Sequence, residues 1–185
     1  MRTSKGGQSA LLLLDVVGIL RREKLDYAVI GAFALAVLGV VRATMDVDVL
    51  LYTQPGRLAK LEKPFKQAGF NTQLRTADAD DPVSGMLVLS DGFGNQVELL
   101  GGLRNLDPEI FSRALEVEFR NEKLRIVGRE DFIAMKCFAG GPQDLLDAQS
   151  AYQAAPGPLN LDLLRTLTRR FGREAADRLE EILAG

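Results

Sequence analysis

No histidine and no tryptophan occur in the 185 residues, and Cys137 is the single cysteine. Without an imidazole there is no Ser-His-Asp or Cys-His nucleophilic system, no His-ligated zinc and no histidine general base. One cysteine forbids an intrachain disulfide and a zinc site built from thiolates alone. A charge surplus is missing too. The 23 Lys+Arg face 25 Asp+Glu, a formal net charge of -2, so the composition lacks the footprint of a dedicated nucleic-acid binder. Long apolar runs are also scarce. Leu11 to Leu14 and Val16 to Leu20 are split by Asp15 and followed by Arg21, Arg22, Glu23 and Lys24, which fits neither a signal peptide nor a membrane span. An amphipathic helix over about 8–24 in a cytoplasmic protein, with no membrane partner, is the expectation. Chemistry must then come from carboxylates, Lys, Arg, hydroxyls or backbone amides.

What is present suits one soluble fold: 46% apolar and 26% charged residues argue against disorder. Tyr27 to Ile30 is a short apolar run ending at Gly31, a buried strand, and 32–40 reads as a short buried helix. Residues 44–52 alternate with period two, Thr44, Asp46, Asp48 and Leu50 on one face and Met45, Val47, Val49 and Leu51 on the other. Pro55 marks the start of a helix reaching Gly69. Residues 71–82 read as a loop, 86–89 and 96–100 as strands joined by the turn 90–95, 108–115 as a short helix and 124–127 as a last strand. From Glu130 the pattern is helical over 130–139, 142–153, 159–171 and 173–183, broken at Pro156-Gly157-Pro158. The expected fold class is α/β (α+β): a mixed sheet flanked by helices over 1–128, with a C-terminal helical part over 129–185.

The stretch that carries chemistry is 29–52. Aspartate is disfavoured in strands, yet Asp46 and Asp48 stand at i and i+2 with apolar residues on the opposite face. Same-face neighbours lie roughly 6.5–7 Å apart along a strand, so two carboxylates can converge on metal. Magnesium wants few carboxylates and substrate phosphates to complete its shell. The Gly31 turn, between strand and helix, lets an anion approach the backbone. Together these face a triphosphate with metal.

Val29 to Tyr52 resembles the nucleotidyltransferase superfamily, marked by Gly-Gly or Gly-Ser opening a helix and Asp-x-Asp on the next strand. The Arg42-x-Thr44-x-Asp46-x-Asp48 form is similar to the minimal nucleotidyltransferases and the AbiEii-type toxin components. The resemblance implies that Gly31 and Ala32 hold nucleotide phosphates and that Asp46 and Asp48 bind two Mg2+ ions. Arg42 and Thr44 belong to the same nucleotide-binding set. Ala32 departs from the family's Gly or Ser. The third carboxylate of that family lies on a later strand. Glu98, an acid between Val97 and Leu99, fits as metal ligand and as general base for an acceptor hydroxyl; Asp91, in a Gly-rich turn, is the alternative. A second motif, Asp131 to Lys136 followed by Gly140 to Asp147, resembles AbiEii-like proteins and implies that Lys136 reaches phosphate while Asp144 caps or orients that region. The basic residues often found in that turn are replaced here by Gly-Pro-Gln.

The function implied is Mg2+-dependent transfer of a nucleoside monophosphate from an NTP to a hydroxyl on tRNA, a protein or a small molecule. A toxin role would add a cognate antitoxin as partner. The alternative is a catalytically inactive module of the same fold that binds a nucleotide or a partner. Plainer readings stand beside these: Arg42 pairing with Asp46 or Asp48, Lys136 extending to water, Thr44 as an ordinary strand residue. Asp78, Asp80 and Asp81 lack the spacing of a calcium loop. Gly92-Phe93-Gly94 opens no helix, and Cys137 is a buried structural thiol. The C-terminal arginines are balanced by acids along a solvated helical face.

Overall fold

The computed structural model of the chain describes residues 1–53, 56–76, 82–154 and 157–185. The elements are α1 (Ser9–Arg22), β1 (Tyr27–Ile30), α2 (Gly31–Val37), β2 (Asp46–Leu51), α3 (Arg57–Gln67), β3 (Asn71–Thr76), β4 (Gly85–Ser90), β5 (Gln96–Gly101), β6 (Leu115–Phe119) and β7 (Glu122–Ile126), followed by α4 (Arg129–Ala139), α5 (Pro142–Gln153), α6 (Leu161–Arg170) and α7 (Arg173–Ala184). The strands form one mixed sheet in the order β3-β4-β5-β2-β1-β7-β6. The pairs β2–β5 and β1–β7 are parallel. The pairs β1–β2, β3–β4, β4–β5 and β6–β7 are antiparallel. This is the mixed α/β architecture that the sequence pattern predicts.

Alternation divides the sheet into an apolar face and a working face. Val47, Val49 and Leu51 of β2, Val97 and Leu99 of β5, and Leu87 and Leu89 of β4 are all buried on one side. Helix α1, with Leu12, Leu13, Val16 and Leu20, and helix α3, with Leu61 and Phe65, supply the buried apolar residues that pack with these strands. A slip of one residue would turn this whole set outward. At about 1.5–3 kcal/mol per buried side chain, that cost fixes the register. The opposite face of β2 and β5 consequently carries Asp46, Asp48 and Leu50 beside Gln96, Glu98 and Leu100.

Helix α4 returns the chain to that working face. Its lead-in is tied to the sheet, since the Val127 amide donates to the Val29 carbonyl at 3.0 Å. Its buried residues Phe132, Ile133, Ala134 and Cys137 join an apolar cluster that runs unbroken from α1 and the strands into α5, α6 and α7. The helix ends at Gly140, whose φ of +68° is left-handed and therefore suits glycine. Arg178 of α7 donates to the Cys137 carbonyl at 3.0 Å, satisfying a helix end that has no partner within α4. Pro142 then starts α5 at a position where its missing N–H costs nothing.

Three expectations are corrected. Residues 71–76 are the edge strand β3 rather than part of a loop: Asn71, Gln73 and Arg75 are exposed, and an edge strand needs no apolar alternation when its backbone is paired along β4. The helix over 108–115 is a single 3-10 turn, Pro108–Phe111, with the Asp107 carboxylate accepting from the Glu109 amide. Leu115 instead begins β6, paired against β7. The strand beginning at Thr44 begins at Asp46, because the Thr44 hydroxyl donates to the Asp46 carbonyl and accepts from its amide. Pro55, Asp78, Asp80, Asp81 and Pro156 lie outside the described residues. Three of the C-terminal arginines are paired with acids as expected, Arg165 on Glu180, Arg173 on Asp177 and Arg178 on Glu174, while Arg170 donates to the Leu106 carbonyl.

Arg113 grips buried Asp131 with two hydrogen bonds of 2.8 and 2.7 Å, joining the segment before β6 to the start of α4. Arg113→Met should lower stability by about 3 kcal/mol, since it leaves a buried carboxylate uncompensated. Urea unfolding checks this as a reduced midpoint with unchanged slope.

Candidate active site

Antiparallel pairing places Asp48 opposite Ile30, the last residue of β1. Its carboxylate therefore lies against the turn into α2. Gly31 there has φ +66°, and a Cβ at that position would overlap Asp48 Oδ2. Glycine is required twice over, by backbone conformation and by the carboxylate pressed against it. Parallel pairing sets Asp48 opposite Glu98 and Asp46 opposite Gln96, so all three acids share the working face.

Two cavities flank this acid pair. The first, about 290 Å³, is lined by Gly31, Asp48, Lys136 and Asp144, with apolar walls that include Leu50, Leu100, Phe132 and Met135. The second, about 310 Å³, is lined by Ala32, Arg42, Thr44 and Asp46. The expected site residues other than Glu98 are thus divided between two cavities that adjoin β2. Glu98 lines neither cavity and stands beside Asp48 on β5.

The acids carry an electrostatic cost. Burial pushes the Asp48 carboxyl above its ordinary value of 3.8; Asp46 adds to the rise, while Lys136 and Arg42 oppose it. Burial also raises Glu98 above 4.5, with Asp48 and Asp46 reinforcing and Arg75 opposing. A carboxyl that holds its proton more tightly is suited to accepting one from a hydroxyl.

The cations are held by acids other than those expected. Arg42 pairs with Asp147, Nε to Oδ1 at 3.3 Å, rather than with Asp46 or Asp48. Lys136 does not extend freely to water. Its Nζ donates to Asp144 Oδ1 at 2.7 Å and sits 3.0 Å from Asp147 Oδ2, over the Phe132 ring at 5.7 Å. Asp147, with 2% of its side chain exposed, also accepts from Gln143 Nε2 at 2.9 Å. Asp147 and Arg75 are the residues sequence reasoning missed. The signal for Asp147 was the Asp-x-x-Asp spacing, which puts both acids on one side of a helix; no local pattern pointed to Arg75.

Asp91 is accounted for by its turn. Burial would raise its carboxyl, but hydrogen bonds led by those from Asn95 hold it below the usual value; it accepts from the Phe93 amide and from Asn95 Nδ2 at 2.8 and 2.7 Å. Cys137 is fully buried, which pushes its thiol up to about 11, the inert state expected of a structural thiol. Among the described residues no three His, Cys, Asp or Glu side chains converge into a ready cage for a metal. Magnesium takes one or two carboxylates and fills its remaining positions with water and phosphate oxygens. The i, i+2 pair Asp46 and Asp48 fits that demand. Among the described residues no helix is long and apolar enough to cross a membrane.

No family model matches the sequence, and no curated protein does. Solved structures do. The antibiotic-resistance factor ANT(2'')-Ia superposes with a TM-score of 0.60 over 96% of this chain and 97% of its own, at 13% identity. An antigenic nucleotidyltransferase-like protein from Paracoccidioides brasiliensis matches at 0.54 over 98% and 95%, at 16% identity. The lincosamide antibiotic adenylyltransferase LnuA, solved with lincomycin bound, matches at 0.51 over 83% of this chain and all of its own, at 14% identity. The chain has the nucleotidyltransferase fold.

Two outcomes follow from this geometry. Gly31→Ala should cost at least about 1–3 kcal/mol from the left-handed backbone alone and displace the Asp48 carboxylate, read as a lower thermal midpoint. A carboxyl whose folded pKa lies above its unfolded value binds protons more tightly when folded. Its contribution to stability is therefore present at low pH and lost as pH rises from 3.8 for Asp48, or 4.5 for Glu98, through the raised folded values. Asp48→Asn should then raise the midpoint of the metal-free protein at neutral pH and flatten its decline as pH rises above 3.8. Thermal scans across pH without divalent cation check both signs.

Proposed function

We propose that the protein is a cytoplasmic, Mg2+-dependent nucleotidyltransferase that moves a nucleoside monophosphate from an NTP to an acceptor hydroxyl. The observation that carries this reading is Asp48 lying against the backbone of Gly31, with Asp46 on the same strand and Lys136 in the same cleft. The fold supports the general class. Asp46 and Asp48 would hold two Mg2+ ions, with Glu98 as a third ligand on the neighbouring strand. Bound there, the metal would supply charge neutralisation for the triphosphate and the leaving pyrophosphate.

The rest is the work of this chain's residues. Gly31 and Ala32 offer the turn where a phosphate approaches the backbone. Lys136 lines the first cavity with Gly31; Arg42 and Thr44 line the second with Ala32, and Asp144 holds Lys136. In this reading the sheet core, 1–128, brings the acids, and the helical region, 129–185, brings the lysine. Glu98 takes the proton of the acceptor hydroxyl. The freed oxygen forms a bond to the α-phosphorus, and the α–β bridge breaks to release pyrophosphate.

A small hydroxyl compound is the favoured acceptor. One solved structure of ANT(2'')-Ia holds adenylyl-2''-tobramycin, and LnuA holds lincomycin. The net charge of -2 gives little pull on a phosphodiester chain. tRNA or a protein as acceptor, with a toxin role and a cognate antitoxin, is the rival assignment for the same chemistry. A second reading is a catalytically silent nucleotide-binding or partner-binding module. Ala32 in place of Gly or Ser favours it, as does the lack of a ready three-acid cage among the described residues.

The test is incubation with each of the four labelled NTPs, Mg2+ and separate acceptor pools: small hydroxyl compounds, total tRNA, and protein. Transfer to the small-molecule pool is expected. Asp46→Asn should lower it by about 100-fold or more, several kcal/mol of lost charge stabilisation. Undiminished transfer by that variant refutes the metal assignment. Mg2+-dependent nucleotide binding without transfer to any pool favours the silent module.

A further inference from the structure

Helix α5 presents two acids to one ammonium, and they differ in a way that matters. Asp144 lies in the first turn of α5, its side chain 30% exposed, and lines the first cleft. Asp147, one turn on, is 2% exposed and does not line it. Both hold Lys136 Nζ, at 2.7 and 3.0 Å. Asp147 has two further partners, Arg42 from the α2–β2 connection and Gln143 from its own helix. It therefore ties three segments together: α4, α5 and the residues leading into β2.

We propose that these two acids act in opposite senses, resting on the reading of the cleft as a triphosphate site. Asp147 is a fixed anchor that keeps Lys136 and Arg42 in place beside the two cavities that adjoin β2. Asp144 is a displaceable stand-in for a substrate phosphate. The reason is solvation. A carboxylate that is nearly fully buried cannot leave two cations without stranding charge in a low-dielectric setting, a large penalty. Asp144, partly buried with 30% of its side chain exposed, can turn to water at a smaller cost, because its charge is not stranded in a low-dielectric setting. An incoming polyphosphate that lies in the cleft meets Asp144 there, and it replaces one anion on Lys136 with another. The net charge around the ammonium then changes little, and Lys136 needs no reorganisation. Asp147 is in this account a positioning residue, acting through Lys136 and Arg42 without touching the substrate.

The two roles predict effects of opposite sign. Removing the stand-in's charge, Asp144→Asn, should tighten binding of Mg2+-tripolyphosphate by about two- to fivefold, because the phosphate no longer competes with a carboxylate for Lys136. Removing the anchor's charge, Asp147→Asn, should weaken it by about tenfold or more, as for a residue that orients a binding group. Calorimetric titration of the whole chain with inorganic tripolyphosphate in Mg2+ reads both. It needs neither a nucleotide nor an acceptor, so failure of the transfer reaction leaves the result interpretable.

Hydrogen exchange without ligand supplies the readout a merely structural role would not move. In Asp147→Asn the amides of residues 40–45 should exchange faster as Arg42 is released, while those of the middle of α4 stay protected. In Asp144→Asn they should not change. Asp147→Glu, which restores the charge, should recover most of the affinity. Equal effects of the two variants, unchanged exchange over 40–45 in Asp147→Asn, or absence of tripolyphosphate binding by the unaltered protein would each overturn the proposal.

Discussion

The Asp48 carboxylate rests on the backbone of Gly31, and the placement of the other site residues follows from that contact. It exists because β1 and β2 run antiparallel with Ile30 opposite Asp48, which brings the end of one strand over the acid of the other. Any side chain at Gly31 would occupy the carboxylate's space. The same β1 is bonded on its other edge to β7, and β7 leads directly into α4. The strand that seats the acid thereby also sets where Lys136 arrives. Two structural halves meet on one working face because both are fastened to β1.

Charge sets the second constraint. Asp46, Asp48 and Glu98 share a sheet face whose other side is committed to the apolar core. Burial and mutual repulsion raise the carboxyls of Asp48 and Glu98. Such an arrangement costs stability. Lys136 and Arg42 offset part of the cost at Asp48, yet their ion pairs are made with other acids. Asp147 and Asp144 hold Arg42 and Lys136.

Much of this was legible in the chain. The Asp-x-Asp alternation, the Gly31 turn and an acid set in apolar β5 each break a local propensity for a reason that a site supplies. The helices of the C-terminal region were equally plain, because their apolar spacing is strong. The failures have particular causes. β3 has Leu74 as its one apolar side chain and is held as an edge strand by backbone pairing, and periodicity cannot reveal pairing. The 108–119 segment changes from a turn to a strand within a few residues, too short a span for a periodic signal. Arg42 was weighed against its neighbours in sequence, but its partner lies more than 100 positions away.

The sequence by itself determined the element types of α1, β1, β2, β4, β5 and the C-terminal helices, and the apolar face of the sheet. Those follow from side-chain chemistry and spacing within a strand or a turn. Only the tertiary structure decided that Asp48 touches Gly31, that Glu98 stands opposite Asp48, and that Lys136 and Arg42 are gathered by the buried Asp147. Pairing register and helix docking bring together groups distant in the chain, and local periodicity contains no term for either.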